Sequence, residues 1–261
     1  MLIIAGSDSG GGAGVQADIK TVTALGGYAA TAITAITVQN TLGASGVHEV
    51  PPEVVEAQAR AVLEDIGADA IKTGMLGSAA VVEVVARVLD GAPAAPAVID
   101  PVMLAKGGAQ LLAPDAVQAV RALLVPRAAL LTPNAPEAEA LTGAPVRDLG
   151  GQRRAALLLL AAGARAVLIK GGHIPGGEVI DLLLTTAGER LFGGPRIETR
   201  HTHGTGCTLA SACAVGLAQG LSMPDAVARA VHYTAKAIRS APGFGAGHGP
   251  LDHGWPLRSG G

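Results

Sequence analysis

The stretch from His203 to Thr208 combines a glycine turn with a cysteine, and it offers the clearest chemistry in the chain. Gly204 and Gly206 allow the backbone to turn tightly and to approach a ligand closely. The small apolar residues that follow are typical of a buried helix, whose N-terminus would present unpaired N–H groups and a positive dipole end to an anion. Cys207 lies at the same turn, where we expect the helix to lower the pKa of the thiol and make it a candidate base or nucleophile. A purely structural turn with a buried cysteine is the alternative interpretation.

A glycine-rich loop at residues 6–14 directly follows the first predicted strand. Residues 12–17 fit the G-x-G-x-x-A pattern of dinucleotide-binding proteins. The acidic residue that should bind a ribose about 20 residues later is absent, because no Asp or Glu lies between Asp18 and Glu49. Lys20 and Lys72 each precede a threonine but lack the preceding glycine of a P-loop. The sequence therefore disfavours a nicotinamide oxidoreductase and indicates a loop that a ligand can approach closely.

Gln39 and Asn40 end the second predicted strand. A glutamine amide both donates and accepts hydrogen bonds, so Gln39 could pair with a heterocycle that carries an amino group beside a ring nitrogen. A polar strand end that binds solvent or backbone is the alternative. The only two asparagines, Asn40 and Asn134, both lie at predicted strand ends, where α/β proteins bind ligands. This placement favours the ligand-binding interpretation.

Charged and amide side chains follow three further predicted strands. Asp100 ends one strand, Asn134 and Glu137 follow the next, and Lys170 ends a third. Two carboxylates and a carboxamide suit Mg²⁺, which takes few protein ligands together with water and phosphate oxygens. The lysine could pair with nucleotide phosphates. The structural alternatives are a helix acid favoured by the dipole at residue 137 and a lysine that extends to water.

The elements that must position these residues alternate between β-rich and helical runs. Several β-rich runs are continuously apolar, as strands buried on both faces are. The alternation predicts an α/β fold with a central, mostly parallel sheet covered by helices on both faces. No internal repeat or long linker divides the chain, so residues 1–261 are expected to form one domain. The predicted strands are 2–5, 29–38, 70–73, 97–100, 128–132 and 166–170, the helices include 52–66, 78–89, 114–124 and 151–162, and two or three antiparallel strands fill 180–199.

The composition disfavours several classes of protein. A net charge of −2 and scattered basic residues give no reason to expect a nucleic-acid partner. No apolar run approaches the ~20 residues that a membrane-spanning helix requires, so no membrane partner is expected either. Cys207 and Cys213 lie too far apart along a predicted helix to form a disulfide. Two unpaired thiols predict a reducing compartment, and therefore a cytoplasmic protein.

A resemblance to a known family is carried by segments 5–14, 16–18, 38–41, 72–76, 100–103, 131–134, 136–137, 170–173 and 201–208. Together these segments resemble the ribokinase superfamily, and within it the bacterial hydroxymethylpyrimidine/phosphomethylpyrimidine kinases of thiamine biosynthesis. The resemblance implies a ribokinase-like fold and an ATP-dependent enzyme that uses Mg²⁺. Such an enzyme phosphorylates the hydroxymethyl group of 4-amino-5-hydroxymethyl-2-methylpyrimidine and then converts the monophosphate to the diphosphate. The resemblance extends over residues 2–256.

The resemblance also implies roles for individual residues around the two substrates. Around the aminopyrimidine, hydrogen bonds would come from Gln39 and Asp18, and the pocket would be lined by Ala13 and Met75. The anion hole for the transferring phosphoryl group would be formed by Gly204, Thr205 and Gly206. The nucleotide would be bound by Lys170, Asn134, Asp100 and Glu137, of which Glu137 and Asp100 would also hold Mg²⁺.

Cys207 stands where sugar kinases of this superfamily carry an aspartate base. In the first step the acceptor is an alcohol, and a Cys207 thiol of lowered pKa could take its proton. In the second step the acceptor is a phosphate monoester that is already mostly ionised at neutral pH. A carboxylate would repel that dianion, whereas a thiol can stay neutral. We therefore hypothesise that cysteine at this position allows one site to run both steps.

Four expectations remain open at this point. The family likeness makes a homodimer plausible, and residues 105–110 are a candidate lid. Pyridoxal kinases share the fold, so phosphorylation of pyridoxal or pyridoxine is the alternative activity. A non-catalytic pyrimidine-binding protein is a third possibility, although it would not need residues for a transferring phosphate.

Overall fold

A nine-stranded sheet forms the centre of the computed structural model, which describes residues 1–103 and 112–258. The predicted lid at residues 105–110 lies outside the described residues. The strand order is β3-β2-β1-β4-β5-β6-β7-β8-β9. The strands are β1 Leu2–Asp8, β2 Ala30–Asn40, β3 Gly43–Glu49, β4 Ile71–Thr73, β5 Ala97–Ile99, β6 Leu130–Leu131, β7 Ala166–Ile169, β8 Glu178–Thr185 and β9 Gly188–Pro195.

The centre of the sheet is parallel, and its two edges are antiparallel. β2, β1, β4, β5, β6 and β7 pair in parallel, whereas β3 pairs antiparallel with β2, and β8 and β9 extend the other edge as an antiparallel hairpin. The predicted mostly parallel sheet is thus confirmed. Because parallel strands end at the same edge, the loops after β1, β5, β6 and β7 meet there.

Helices cover both faces of the sheet, as the continuously apolar strands predict. Along β1, Leu2 and Ile4 pack in one core with residues of α2 to α6, whereas Ile3 packs on the opposite side with α1 and α7. The helices are α1 Gly14–Ala24, α2 Pro52–Asp65, α3 Ala79–Asp90, α4 Pro114–Ala119, α5 Ala135–Thr142, α6 Leu149–Ala161, α7 Thr205–Ala218, α8 Met223–Arg239 and α9 Trp255–Arg258. None of the helices in the described ranges is long and apolar enough to cross a membrane.

Two elements differ from the sequence prediction. The predicted helix 114–124 is α-helical only to Ala119 and continues as a π-helical turn over Val120–Leu124, followed by a 3₁₀ turn. Strand β3 was not predicted, because its segment is rich in glycine and polar residues and it forms only through pairing with β2. Of the two or three antiparallel strands predicted within 180–199, the structure has two, β8 and β9, and β8 begins slightly earlier, at Glu178.

Candidate active site

The N-terminus of α7, residues 204–207, is the predicted anion-binding turn. Gly204 caps the helix with a left-handed backbone (φ 81°), and a Cβ at this position would collide with the carbonyl oxygen of Gly12. Thr208 donates its backbone N–H to the Gly204 carbonyl oxygen at 2.9 Å. Helix geometry leaves the N–H groups of Gly206 and Cys207 without an acceptor inside the helix. Both residues line a cavity, as a turn that binds an anion requires.

One cavity of about 1650 Å³ contains nearly all of the predicted site residues. It reaches from the glycine-rich loop after β1 to the carboxyl ends of β5, β6 and β7, and along the N-terminus of α7. The residues predicted to bind the ring and those predicted to bind phosphates therefore share one space. Its lining includes Ala13, Gln39, Met75, Asp100, Asn134, Glu137, Lys170, Gly204, Thr205, Gly206 and Cys207.

Asp18 is the exception, and its burial corrects the prediction that it contacts the aminopyrimidine. Asp18 lies on α1 with no exposed surface and is not part of the cavity lining. Its two carboxylate oxygens lie 2.9 and 2.8 Å from Nζ of the fully buried Lys72, and Ser211 donates its hydroxyl to Oδ1 at 2.7 Å. Asp18 thus neutralises a buried lysine instead of facing a ligand.

Lys170 lies between the two carboxylates that were predicted to serve the nucleotide. Its Nζ is 2.9 Å from Asp100 Oδ1 and 3.7 Å from Glu137 Oε2. Burial opposes the charge of Lys170, but Asp100 and Glu137 outweigh this effect and raise the lysine pKa. Burial and the nearby Asp100 raise the pKa of Glu137 to about 7, although Lys170 acts in the opposite direction. A cation and two acids thus share a small, largely desolvated volume.

The start of α5 holds Glu137 in place. Asn134 accepts a hydrogen bond from the Glu137 backbone N–H at 2.9 Å, and Glu137 Oε2 accepts one from the Asn134 backbone N–H at 2.7 Å. This capping box fixes both side chains at the helix N-terminus. The Asn134 side chain therefore has a structural partner as well as a place in the cavity wall.

Asp100 and Glu137 fit a Mg²⁺ ion that also binds phosphate oxygens. The described ranges contain no group of three His, Cys, Asp or Glu residues that could enclose a metal by themselves. Mg²⁺ does not require such a group, because it usually keeps several waters and binds one or two carboxylates together with substrate phosphates. The mutual repulsion that helps to raise the Glu137 pKa is relieved by a cation. The donor set therefore suits Mg²⁺ held jointly by protein and nucleotide.

The expectation of a lowered Cys207 pKa is wrong for the free protein. Burial raises the pKa of the thiol to about 11 and outweighs the nearby Lys72 and a hydrogen bond from the Gly14 backbone, which lower it. Desolvation, together with the nearby Asp18 and Asp100, thus disfavours the thiolate more than Lys72 and the Gly14 amide favour it. Cys207 is therefore a neutral thiol near pH 7.

A network around Asp8 was not anticipated from the sequence. Asp8 ends β1 and accepts backbone hydrogen bonds from Gly10, Gly12 and Ala13 at 2.8, 3.0 and 2.8 Å. Its Oδ2 is 2.9 Å from Nε2 of His203, which in turn lies 3.0 Å from the Gln39 amide. The sequence signal for this network was an acidic residue within a glycine-rich loop, because the free N–H groups of such a loop need an acceptor. The network joins the loop after β1 to the residue that precedes the anion-binding turn.

Comparison with known proteins agrees with this geometry. A family profile described as phosphomethylpyrimidine kinase matches residues 8–252. A hydroxymethylpyrimidine/phosphomethylpyrimidine kinase from Streptomyces coelicolor is 52% identical to this chain over 257 residues, which is 98% of this chain and 95% of that protein. The thiamine biosynthesis bifunctional protein ThiED of Geobacter sulfurreducens is 51% identical over 253 residues, which is 97% of this chain and 52% of that longer protein.

Among solved structures, the chain is similar to a Bacillus subtilis pyridoxal kinase determined as an ADP complex. The TM-score is 0.91 at 35% sequence identity, and the match covers 98% of this chain and 97% of that chain. The likeness confirms the expected α/β architecture. It also places a nucleotide-binding kinase among the proteins that share this fold.

Proposed function

The chain belongs to the phosphomethylpyrimidine kinase family, and from that premise we propose that it acts in thiamine biosynthesis as an ATP-dependent kinase. It transfers a phosphoryl group to the hydroxymethyl group of 4-amino-5-hydroxymethyl-2-methylpyrimidine, and then a second one to the monophosphate. The single observation that supports this reaction most strongly is that Gln39, the α7 N-terminus and Lys170 line one cavity. The chain thus carries a ring-binding amide and phosphate-binding groups within one space.

At the ring end, Gln39 pairs with the amino group and the adjacent ring nitrogen, since an amide offers both an acceptor and a donor. Ala13 and Met75 provide apolar walls of the same cavity. This arrangement directs the hydroxymethyl group of the ring toward the turn that begins at Gly204. The ring end therefore positions the acceptor oxygen, which is the main requirement of phosphoryl transfer.

At the phosphate end, the free amides of the α7 turn receive the migrating phosphoryl group. Gly206 lies directly against Lys170 and Asp100, because a Cβ at this position would be 3.2 Å from Lys170 Nζ and 3.6 Å from Asp100 Oδ2. Lys170 supplies positive charge to the phosphates, and Asn134 borders the same space. Asp100 and Glu137 would hold Mg²⁺, which when bound neutralises phosphate charge. Fixed donors thus stabilise the charge that spreads over the phosphoryl oxygens.

The neutral thiol of Cys207 suits the second step in particular. It places no negative charge beside the incoming monoester dianion, unlike a carboxylate at this position. Phosphoryl transfer through a loose transition state depends mainly on positioning and charge stabilisation. The anion-binding turn is therefore the principal catalytic feature in both steps, and Cys207 borders it as an uncharged neighbour.

Pyridoxal phosphorylation is the second candidate activity, and the similarity to the Bacillus subtilis pyridoxal kinase is the observation that favours it. Two observations favour the pyrimidine instead. Sequence identity to the Streptomyces coelicolor pyrimidine kinase is 52%, against 35% to that pyridoxal kinase. Gln39 also matches an amino group beside a ring nitrogen, a pair that pyridoxal lacks.

Three broader proposals accompany the activity. We infer that residues 1–261 act as one kinase domain, because strands from both halves of the chain belong to the same sheet. Cys207 and Cys213 are both free thiols, which supports a cytoplasmic location. A homodimer is supported by apolar side chains that remain exposed on the β2–β3 hairpin, namely Ile36, Val38 and Leu42.

Mass spectrometry of the products tests the activity directly. The protein is incubated with ATP, Mg²⁺ and either the hydroxymethylpyrimidine or pyridoxal at equal concentration, with Lys170→Met as the inactive control. We expect one and then two phosphoryl groups on the pyrimidine and a higher kcat/KM for that ring than for pyridoxal. A preference for pyridoxal would support the alternative kinase. Tight pyrimidine binding without pyrimidine-dependent ADP release would instead indicate a non-catalytic binding protein.

A further inference from the structure

The Gln39 side chain is held at both ends by neighbouring side chains. The oxygen and nitrogen ends of an amide have nearly the same shape, so their hydrogen-bond partners assign them. One end, placed as Nε2, lies 3.0 Å from Nε2 of His203. The other end, placed as Oε1, lies 3.2 Å from Oγ1 of Thr37. The roles of His203 and Thr37 therefore decide which end is the acceptor.

Asp8 determines the role of His203. Burial raises the pKa of Asp8, but hydrogen bonds from His203 and from the loop amides outweigh it and leave this pKa below its ordinary value. Asp8 is thus a carboxylate, which can only accept hydrogen bonds. Nε2 of His203, 2.9 Å from Asp8 Oδ2, must carry the hydrogen and donate it. A protonated Nε2 has no lone pair with which to accept a hydrogen bond. The end of the Gln39 amide that lies 3.0 Å from it must therefore be the acceptor, Oε1.

Thr37 determines the other end independently. The Thr37 hydroxyl has one hydrogen, which it donates to the backbone carbonyl oxygen of Ser7 at 2.8 Å. Toward Gln39, the Thr37 oxygen can then only accept. The end of the amide at 3.2 Å from Thr37 Oγ1 must be the NH₂ group. Two contacts that involve different residues thus require the same orientation of the amide.

We propose that Asp8, His203 and Thr37 are positioning residues that hold the Gln39 amide with Oε1 toward His203 and Nε2 toward Thr37, and that this polarity determines which ring the site accepts. Each end of the amide keeps one further hydrogen-bonding direction. A ring therefore meets an acceptor on the His203 side and a donor on the Thr37 side.

This polarity matches the substituents of the aminopyrimidine, and here the inference rests on the proposed function. The amino group of that ring stands between the ring nitrogen and the carbon that carries the hydroxymethyl group. With the amide held as described, the amino group donates on the His203 side and the ring nitrogen accepts on the Thr37 side. His203 immediately precedes Gly204, so the hydroxymethyl group beside the amino group is directed to the anion-binding turn. The reverse amide would direct it away.

A substrate analogue with the inverted pattern tests the proposal. In the 4-oxo analogue, a carbonyl oxygen replaces the amino group and the adjacent ring nitrogen carries a hydrogen. We expect the wild-type protein to favour the amino ring over the oxo ring in kcat/KM. Thr37→Val and His203→Phe each free one end of the amide, and we expect each to reduce this preference by about 10- to 100-fold. Thr37→Ser retains the oxygen and should keep the wild-type preference.

The tautomer of His203 provides a readout that does not depend on activity. In ¹⁵N NMR spectra of the unliganded protein, we expect Nε2 of His203 to be protonated. An unprotonated Nε2 would overturn the proposal, whichever ring is phosphorylated. An unchanged ring preference in both folded variants would overturn it as well. If the wild-type protein phosphorylates neither ring, the proposed function fails, while the tautomer still decides how Gln39 is held.

Discussion

At the scale of single residues, Cys207 shows how burial can outweigh a nearby lysine and a backbone hydrogen bond in setting the pKa of a thiol. The thiol pKa of about 11 means that the free protein presents an uncharged group beside the anion-binding turn. A carboxylate there would stand next to the phosphate monoester of the second step. We expect Cys207→Asp to reduce kcat/KM for the second phosphorylation about 10- to 100-fold more than for the first, because two like charges would be close together in a desolvated site.

Cys207→Ser is the matched control, since serine is also uncharged. It should keep the wild-type ratio between the two steps, even if both become slower. The ratio is measured with the hydroxymethylpyrimidine and its monophosphate as separate substrates. If Cys207→Asp runs the second step as fast as the wild-type protein, a neutral side chain at this position is not what allows both steps.

Asp18 and Gln39 show how far residue-level prediction can go from sequence. Both were predicted to bind the ring, and Gln39 does line the cavity. Asp18 is instead paired with Lys72, which is 54 residues away in the chain. A short motif indicates which residue types are present, but it does not show which of them a buried lysine will require as a partner. The network of Asp8 and His203 was missed for the same reason, because these residues are 195 positions apart.

At the scale of elements, substitutions at the two glycines of the α7 turn should affect stability and activity differently. Gly206 lies within α7 and has no positive φ, so Gly206→Ala leaves the backbone unstrained and should change the free energy of unfolding by less than about 1 kcal/mol. The added methyl group would press against Lys170 Nζ at 3.2 Å and narrow the anion site. We therefore expect kcat to fall at least about tenfold while stability changes little.

Gly204→Ala provides the contrast, because residue 204 has a positive φ and a Cβ would meet the Gly12 carbonyl oxygen. This variant should lose stability as well as activity. Urea unfolding and steady-state kinetics on both variants test the pair. An active Gly206→Ala protein would show that the first turn of α7 does not receive the phosphoryl group.

His253 contacts the same turn through Thr208. His253 is buried, and its Nε2 lies 3.0 Å from Thr208 Oγ1, whose hydroxyl donates to the Gly204 carbonyl oxygen. Burial, together with Lys20, lowers the pKa of His253 from 6.5 to about 4. The unfolded chain therefore binds this proton more readily than the folded protein. The contribution of His253 to stability is complete above pH 6.5 and is lost as the pH falls toward 4.

In the wild-type protein, protonation of His253 should lower the free energy of unfolding by up to about 3 kcal/mol between pH 6.5 and pH 4. We expect His253→Gln to lack this part of the decline. Urea denaturation at several pH values measures it. His48→Gln, a substitution at an exposed histidine, is the control and should leave the decline unchanged. A decline of equal size in His253→Gln and wild-type protein would show that other groups cause the loss of stability in acid.

At the scale of the whole molecule, the sequence predicted the layered α/β architecture and the edge of the sheet at which the candidate site residues lie together. Continuous apolar runs such as residues 2–5 at the start of β1 are buried on both faces in such a fold, so the local pattern was sufficient there. Strand β3 could not be predicted, because its residues favour a strand only when β2 is beside them. The depth of Lys72 and Asp18 likewise depends on three packed elements, β4, α1 and α7. Pattern therefore predicted the positions of the strands, whereas packing set the partners of buried charges.

The β2–β3 edge leads to the last prediction, a dimer. β3 is an edge strand, and the side chains of Ile36, Val38 and Leu42 on this hairpin are 52%, 63% and 73% exposed. An exposed apolar patch beside an unpaired edge strand favours association unless another surface covers it. We expect light scattering at micromolar concentration to give twice the chain mass of 25.8 kDa, and Val38→Glu to give a folded monomer. Leu157→Glu, at a residue that is 58% exposed on α6, should leave the dimer intact. A monomeric wild-type protein, or a dimer that survives Val38→Glu, would rule out this edge as the interface.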